Sequence, residues 1–336
     1  MIKEILVYDS PEDSLNPYRN LAREEVLLRT LRQDQMILYL WQNRDTVVIG
    51  KNQNCYRECR VSLLEKEGGH LARRLSGGGA VFHDLGNLNY TFLAMREDFD
   101  VPLQTGLIVK AIRGFGIDAA ATGRNDIEAE GRKFSGNAYY LTKDACYQHG
   151  TLLVRVDPDR IGRYLNVDRE KLQAKGVSSV RSRVMGLEDL EPKLTPAGLR
   201  CRLKEVFRDA FPEADFCLLS EGPAGERIEQ EALALEAKYA DPAWVYGEKA
   251  SYDYEFGKRF SWGSVQIHLK IHQGKIGKVR IYTDSLGTQW PRRMEEALQD
   301  LKFEPESIAF SLLRTDFSVE DREIVSDITQ LIEESM

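Results

Sequence analysis

The chain has 336 residues, enough for one large or two ordinary domains, and combines 42% hydrophobic with 29% charged residues, as globular proteins do. A formal net charge of −7 excludes nucleic acid as a bulk partner, and five cysteines, an odd number, are no disulfide framework, so a reducing cytoplasm is the expected compartment. No apolar run reaches the roughly eighteen residues of a bilayer-spanning helix, and the charged Lys3-Glu4 interrupts what would be a signal peptide's apolar region, so neither membrane nor secretion is expected.

In chain order, Ile5-Leu6-Val7 predicts a strand, and Asn16-Pro17 starts a helix that carries Leu21, Leu28 and Leu31 inward. Residues 36–41 and 46–49 are β-rich runs separated by Gln42-Asn43-Arg44-Asp45, which predicts a hairpin. Trp41 closes the first run, either as core or as the wall of a pocket. Cys55 and Cys59 with His70 lack a second pair to complete a metal site. Then comes Arg73-Arg74-Leu75-Ser76-Gly77-Gly78-Gly79-Ala80-Val81-Phe82-His83-Asp84-Leu85-Gly86-Asn87. Two permanently charged forks beside a hydroxyl and three glycines suit an anion, because glycine lets the backbone approach a ligand and successive N–H groups form a nest for oxygens. On the glycines alone a plain hairpin turn reads the same. No G-x-x-x-x-G-K-[ST] occurs, which excludes a Walker-type loop.

Leu88, Tyr90 and Phe92 alternate as a half-buried strand, and Leu103, Leu107, Ile108, Ala111 and Ile112 mark a helix that stops at Gly114. Gly114-Phe115-Gly116-Ile117-Asp118-Ala119 matches a dinucleotide fingerprint in letters only, since it follows a helix instead of a strand. Strands are expected over 126–129, 133–141 and 149–156, without a strict βαβ rhythm, which points to a mixed sheet with helices on it. Asp157-Pro158 caps a short helix. A polar, basic segment over 171–186 has weak periodicity, as functional loops do. Thr195-Pro196 caps an amphipathic helix with Leu199, Leu203, Val206 and Phe207 on one face, and a more exposed helix covers 226–239. The helical pattern stops over 241–250. Beyond it Val265, Ile267, Leu269 and Ile271 alternate into a hairpin, followed by two helices, around 292–301 and from Ser318.

Three blocks carry a resemblance. Arg73 to Asn87 is similar to the signature of lipoate-protein ligases, adenylating enzymes that share a fold with biotin protein ligases. Gly123-Arg124-Asn125-Asp126-Ile127 with Gly131-Arg132-Lys133-Phe134-Ser135-Gly136-Asn137-Ala138, and His149-Gly150-Thr151-Leu152-Leu153, resemble the family's further motifs in order and spacing. The likeness extends through 174–183 into the C-terminal third. It implies an α+β fold of mixed β-sheets with flanking helices, a ligase-like large domain over 1–246 and a small α+β C-terminal domain over 251–336.

The activity it implies is ATP- and Mg²⁺-dependent conversion of lipoate to lipoyl-AMP, then transfer of the lipoyl group to a lysine of an acceptor lipoyl domain, either of 2-oxoacid dehydrogenase complexes or the glycine cleavage H protein. Lys133 becomes the expected catalytic group, neutralising the carboxylate and α-phosphate as they meet. Arg74, Gly79, Ala80, Val81, Phe82, Asn125, Asp126, Ser182 and Arg183 are expected to hold ATP or the adenylate, with Asp126 on Mg²⁺. Trp41, Arg73, Ser76, Gly77, Gly78, His83 and His149 are expected around lipoate. Tyr140 stands where some relatives have a basic residue. Two alternatives stay open: a cysteine-dependent octanoyl or lipoyl transferase using Cys146, and a non-catalytic lipoate-binding module.

Overall fold

The computed structural model describes residues 2–11, 13–123, 125–166, 184–247 and 251–335. Two compact units are present: Met1–Val48, Tyr56–Arg73 and Ala80–Val245 in the first, Ile49–Cys55, Arg74–Gly79 and Tyr246–Met336 in the second.

In the first unit β1 (Glu4–Asp9) leads to α1 (Pro17–Thr30), whose start is dictated locally. Asn16 accepts from the backbone N–H groups of Tyr18 and Arg19, and proline occupies the first turn. The same device starts α4 (Val101–Arg113), where Asp100 accepts from Leu103, and α6 (Pro196–Ala210), where Thr195 accepts from Gly198. Between these lie β2 (Gln35–Trp41), β3 (Thr46–Ile49), the short helices α2 (Cys55–Glu58) and α3 (Val61–Lys66), then β4 (His70–Arg73), β5 (Val81–His83) and β6 (Asn87–Met95). After α4 come β7 (Ala119–Thr122), β8 (Asp126–Ala129), β9 (Arg132–Leu141), β10 (Ala145–Leu153) and α5 (Pro158–Tyr164); after α6 come β11 (Asp215–Leu218), α7 (Gly222–Ala240) and α8 (Pro242–Val245).

Eight strands form one sheet in the order β11-β1-β2-β6-β10-β9-β8-β7. It is mixed, since β1 runs parallel to β11 and β2 while the remaining neighbours are antiparallel. One face holds the main core. Leu107, Ile108 and Ile112 of α4 and Leu199, Leu203 and Phe207 of α6 pack on Ile5, Val7, Met36, Leu38, Tyr90 and Phe92. The other face carries α1, which lies on β2, β6 and β10 and alongside α7.

Two sequence expectations are corrected. The runs on either side of Gln42-Asn43-Arg44-Asp45 are not a hairpin: β2 pairs with β1 and β6, which occupies both of its edges, so β3 joins a separate sheet in the order β4-β3-β5. And β6 is not half-buried. Sitting mid-sheet with α6 behind it and α1 in front, it is buried at eight of its nine positions.

The second unit contains the antiparallel sheet β12-β13-β14 (Tyr254–Phe260, Gly263–His272, Lys275–Thr283) and helices α9 (Trp290–Leu298), α10 (Pro305–Arg314) and α11 (Arg322–Ser335). Val265, Ile267 and Leu269 form its core with Trp290, Met294, Ile308 and Ile328. The expected hairpin thus gains a third strand and the two expected helices a third. Among the described residues no helix is long and apolar enough to cross a membrane.

Candidate functional site

Directly paired residues on neighbouring strands share a face of the sheet. The registers Trp41↔Asn89, Asn89↔Thr151, Thr151↔Gly136 and Gly136↔Asp126 therefore draw one line across five strands, on the face that carries α1. Tyr39, Thr91, His149 and Ala138 form the adjacent line. The middle of both lines is small or polar, so the floor is low between the large Trp41 at one end and the charged Asp126 at the other.

Lys133 lies beside a register shift between β8 and β9, and its side chain folds back over Gly136. A Cβ at Gly136 would stand 2.5 Å from the ammonium nitrogen Nζ and 2.8 Å from Cε. Only glycine lets the ammonium lie there. Nζ pairs with Asp126 Oδ1 at 2.7 Å, the carboxylate 5% and the lysine side chain 20% exposed. A cation held against a buried carboxylate, with an opening to solvent, is an arrangement that receives a further anion.

At the other end, Trp41 is buried, stacks on Tyr39 and donates from Nε1 to Thr91 Oγ1 at 3.1 Å. Thr91 donates to Glu24 Oε1 at 2.7 Å, and the same oxygen accepts from His149 Nδ1 at 2.8 Å. The Glu24 carboxylate oxygen accepts, so the proton facing it sits on His149 Nδ1. The ring of Tyr147 packs 4.9 Å from His149, and burial, reinforced by the Glu24 charge, pushes its hydroxyl well above the ordinary tyrosine range. His83 has its proton on the other nitrogen. Asn20 donates to Asn43 Oδ1 at 2.9 Å, so Asn43 Nδ2 faces His83 Nδ1 as a donor, and His83 Nε2–H points to Thr151 Oγ1 at 2.9 Å.

Glu24 escaped the sequence reading, because Arg23-Glu24-Glu25 in a helix reads as a solvated face. The signal was spacing: Leu21, Glu24, Glu25 and Leu28 make an i, i+3, i+4, i+7 stripe, which puts both carboxylates on the buried side.

The two signature arginines are buried, and both turn their guanidiniums onto main-chain carbonyls. In the first unit Arg73 donates from Nε to Trp244 O and from Nη2 to Val245 O, each at 2.9 Å, while Trp244 Nε1 donates back to Arg73 O. In the second unit Arg74 braces its own loop, donating to Ser76 Oγ at 2.9 Å, Gly77 O at 2.7 Å and Gly79 O at 2.8 Å. Gly78, at φ 86°, donates to Ser285 O at 2.9 Å, and a Cβ on Gly77 would come within 2.4 Å of that carbonyl. Ala80 precedes β5, whose Val81 and Phe82 pair with Val48 and Val47; Phe82 is covered by Arg160 and Tyr164. Asn125 stands beside Asp126 and donates from Nδ2 to Asn137 O at 2.9 Å.

Ser182, Arg183 and Arg124, with most of the 171–186 segment, lie outside the described residues. Tyr140 is half-buried against Tyr147, at 5.4 Å between ring centres. Cys146 is fully buried and pairs with Ala94 and Leu141, on the sheet face opposite His149. Among the described residues no group of three or more His, Cys, Asp or Glu side chains could hold a metal ion.

The lipoyl protein ligase A/B catalytic domain matches residues 16–208, and the bacterial lipoate protein ligase C-terminus matches 249–332. Among solved structures, LipL1 of P. falciparum, in complex with lipoate, is 25% identical, with 98% of this chain and 99% of that chain covered at a TM-score of 0.82. A bi-partite lipoate protein ligase from Thermoplasma acidophilum, studied with its E2 lipoyl domain, is 27% identical over 76% of this chain and 100% of that chain, at a TM-score of 0.61. A lipoate-protein ligase A bound with ATP is 26% identical over 74% of this chain and 99% of that chain, at a TM-score of 0.59.

Proposed function

Because the chain belongs to the lipoyl protein ligase A/B family, we propose that it activates lipoate with ATP to lipoyl-AMP and transfers the lipoyl group to a lysine of an acceptor lipoyl domain in the cytoplasm. The observation that carries this reading is the Lys133–Asp126 pair held over Gly136, at one end of a line of small and polar side chains that leads to Trp41. Relatives bound to lipoate and to ATP, and one studied with its lipoyl domain, support the same substrates.

In the first step a carboxylate oxygen of lipoate attacks the α-phosphorus, and the bond to the β-phosphate oxygen breaks to release pyrophosphate. Two anions must approach, so the site has to neutralise charge more than supply a base. The Lys133 ammonium, oriented by Asp126, supplies fixed positive charge and N–H donors to the oxygens on which charge builds. In the second step the acceptor amine attacks the carbonyl carbon, loses a proton, and AMP departs with its charge met by the same ammonium. Trp41, Thr91, His149 and His83 line the acyl end, with His149 presenting Nε2 because Glu24 holds Nδ1–H. As the motif suggests, Arg74, Gly79, Ala80, Val81 and Phe82 would serve the nucleotide and Arg73, Ser76, Gly77 and Gly78 the lipoate, the two arginines also bracing main-chain carbonyls.

Mg²⁺ takes oxygen ligands and needs only one or two protein carboxylates beside substrate phosphates. Asp126, a single carboxylate next to Asn125, fits that demand and would hold the ion, which would neutralise phosphate charge. The buried position of Cys146, on the face away from His149, supports the ligase over a thioester enzyme.

The test is pyrophosphate release by the purified chain with ATP and Mg²⁺, with and without lipoate, followed by mass spectrometry of a candidate lipoyl domain. Lipoate-dependent release with one lipoyl group gained per acceptor is expected. Lipoyl transfer that proceeds without ATP, or lipoate binding with no pyrophosphate, would overturn the reading.

A further inference from the structure

We propose that Asn137 is a positioning residue that works through Asn125 to hold Asp126, and thereby Lys133, in place from behind the sheet. The proposal rests on the ATP-dependent reading above.

The side chain of Asn137 is buried on the opposite face of β9 from Gly136 and Ala138. Both ends of its amide are engaged. Oδ1 accepts from the Tyr90 hydroxyl of β6 and from Gln148 Nε2 of β10 at 3.3 Å, while Nδ2 donates to Asn125 O at 3.2 Å. The Asn137 backbone N–H donates to that carbonyl as well, at 2.8 Å, and Asn125 Nδ2 returns a bond to Asn137 O at 2.9 Å. Three hydrogen bonds therefore fasten Asn125 to β9, and the next residue is the carboxylate that pairs with Lys133. Gln148 continues the chain to Thr105 of α4 at 3.0 Å, so the strut is anchored in the rigid side of the fold.

Chemistry fixes its polarity. Burial raises the Tyr90 hydroxyl well above the ordinary tyrosine range, so it remains a donor. The Asn125 carbonyl can only accept, so Nδ2 must face it, and this turns Oδ1 toward the Tyr90 hydroxyl, which donates. The same network accounts for Gly150 of the His-Gly-Thr block. A Cβ there would lie 2.6 Å from the Tyr90 hydroxyl oxygen and 2.7 Å from Asn137 Oδ1. Glycine at 150 thus admits the strut behind the sheet, as glycine at 136 admits the lysine in front of it.

A double-mutant cycle on kcat/KM for ATP in lipoyl-AMP formation tests the proposal. Asn137→Ala should lower that value about 10–100-fold, the usual loss when a partner that orients a functional group is removed. Placed on Asp126→Ala, the same change should lower the residual value less than about twofold, because the group it positions is already gone. Lipoate affinity without nucleotide should stay within about twofold of wild type, which general damage to the sheet would not permit. Tyr90→Phe, a milder change, repeats the cycle should Asn137→Ala fail to fold. Equal losses in both backgrounds would overturn the proposal and leave the ligase reading standing; a wild-type chain that forms no lipoyl-AMP would overturn both.

Discussion

On one face of the eight-stranded sheet, β1, β2 and β6 present Ile5, Val7, Met36, Leu38, Leu88, Phe92 and the ring of Tyr90 to α4 and α6. Turned over, β2, β6 and β10 present Tyr39, Trp41, Asn89, Thr91, His149 and Thr151, and β8 and β9 add Asp126 and Gly136. Period-two alternation produces both surfaces from the same residues' neighbours, yet their energetics differ. The first gains stability in proportion to apolar area and tolerates any side chain of the right volume. The second buries Glu24 and Asp126, each of which would be costly without its partner. Changes to the apolar side chains of the first face should therefore move stability, and changes on the second should move chemistry; the polar Asn137 strut behind β9 is the exception proposed above.

The largest expected effect belongs to the apolar face. Phe92→Ala should lower unfolding free energy by roughly 3–5 kcal/mol, while the folded fraction keeps its turnover per molecule. Denaturant melts with activity normalised to folded protein read both quantities; a selective loss of turnover would blur the division between the faces.

Trp41→Val combines the two kinds of effect. Lost packing should cost about 2–4 kcal/mol, and the space vacated at the end of the floor should admit bulkier carboxylates than lipoate. Competition between acids of graded size reads the second part, and an unchanged range would make Trp41 a core residue only.

Gly136→Ala adds one methyl where Lys133 Nζ lies, a contact of 2.5 Å. The flexible lysine can move aside, so melting temperature should hardly change. Lipoyl-AMP formation should fall about tenfold, equivalent to about 1.4 kcal/mol of lost transition-state stabilisation. Full activity would show that the ammonium need not occupy this position.

Cys146→Ser should have the smallest effect, within about twofold in turnover, since the thiol faces away from His149. A folded but inactive variant would place covalent chemistry on the wrong face for this account.

How much of this the sequence disclosed depends on how local the cause is. Helices α1, α4 and α6 were legible because a capping side chain, a first-turn proline and a 3.6-residue stripe lie within a few residues of one another. The false hairpin between β2 and β3 was illegible for the opposite reason: turn-forming Asn43 and Asp45 are local, but which strands claim the edges of β2 is decided by β1 and β6, at a distance. Strands β7, with the sequence Ala119-Ala120-Ala121-Thr122, and β11 are too short to show a period, and β12 is mostly exposed. For the candidate site, Lys133, Asp126 and His149 were named from motif resemblance, while the line joining them is a matter of register across five strands and no string of residues displays it. For Arg73 and Arg74 the letters show charge but not bracing: their guanidiniums donate to carbonyls of Trp244, Val245, Gly77 and Gly79, and the first two lie 171 and 172 residues from Arg73 in the sequence.

Rapid-quench measurement of lipoyl-AMP formed in a single turnover by wild type and Lys133→Ala, with melting temperatures recorded on the same preparations, tests the central claim most directly. The wild-type chain should form lipoyl-AMP together with pyrophosphate, and the variant should do so on the order of 10²–10³ more slowly at an unchanged melting temperature. Equal rates in the two proteins would contradict the claim that Lys133, held over Gly136 by Asp126, carries the chemistry.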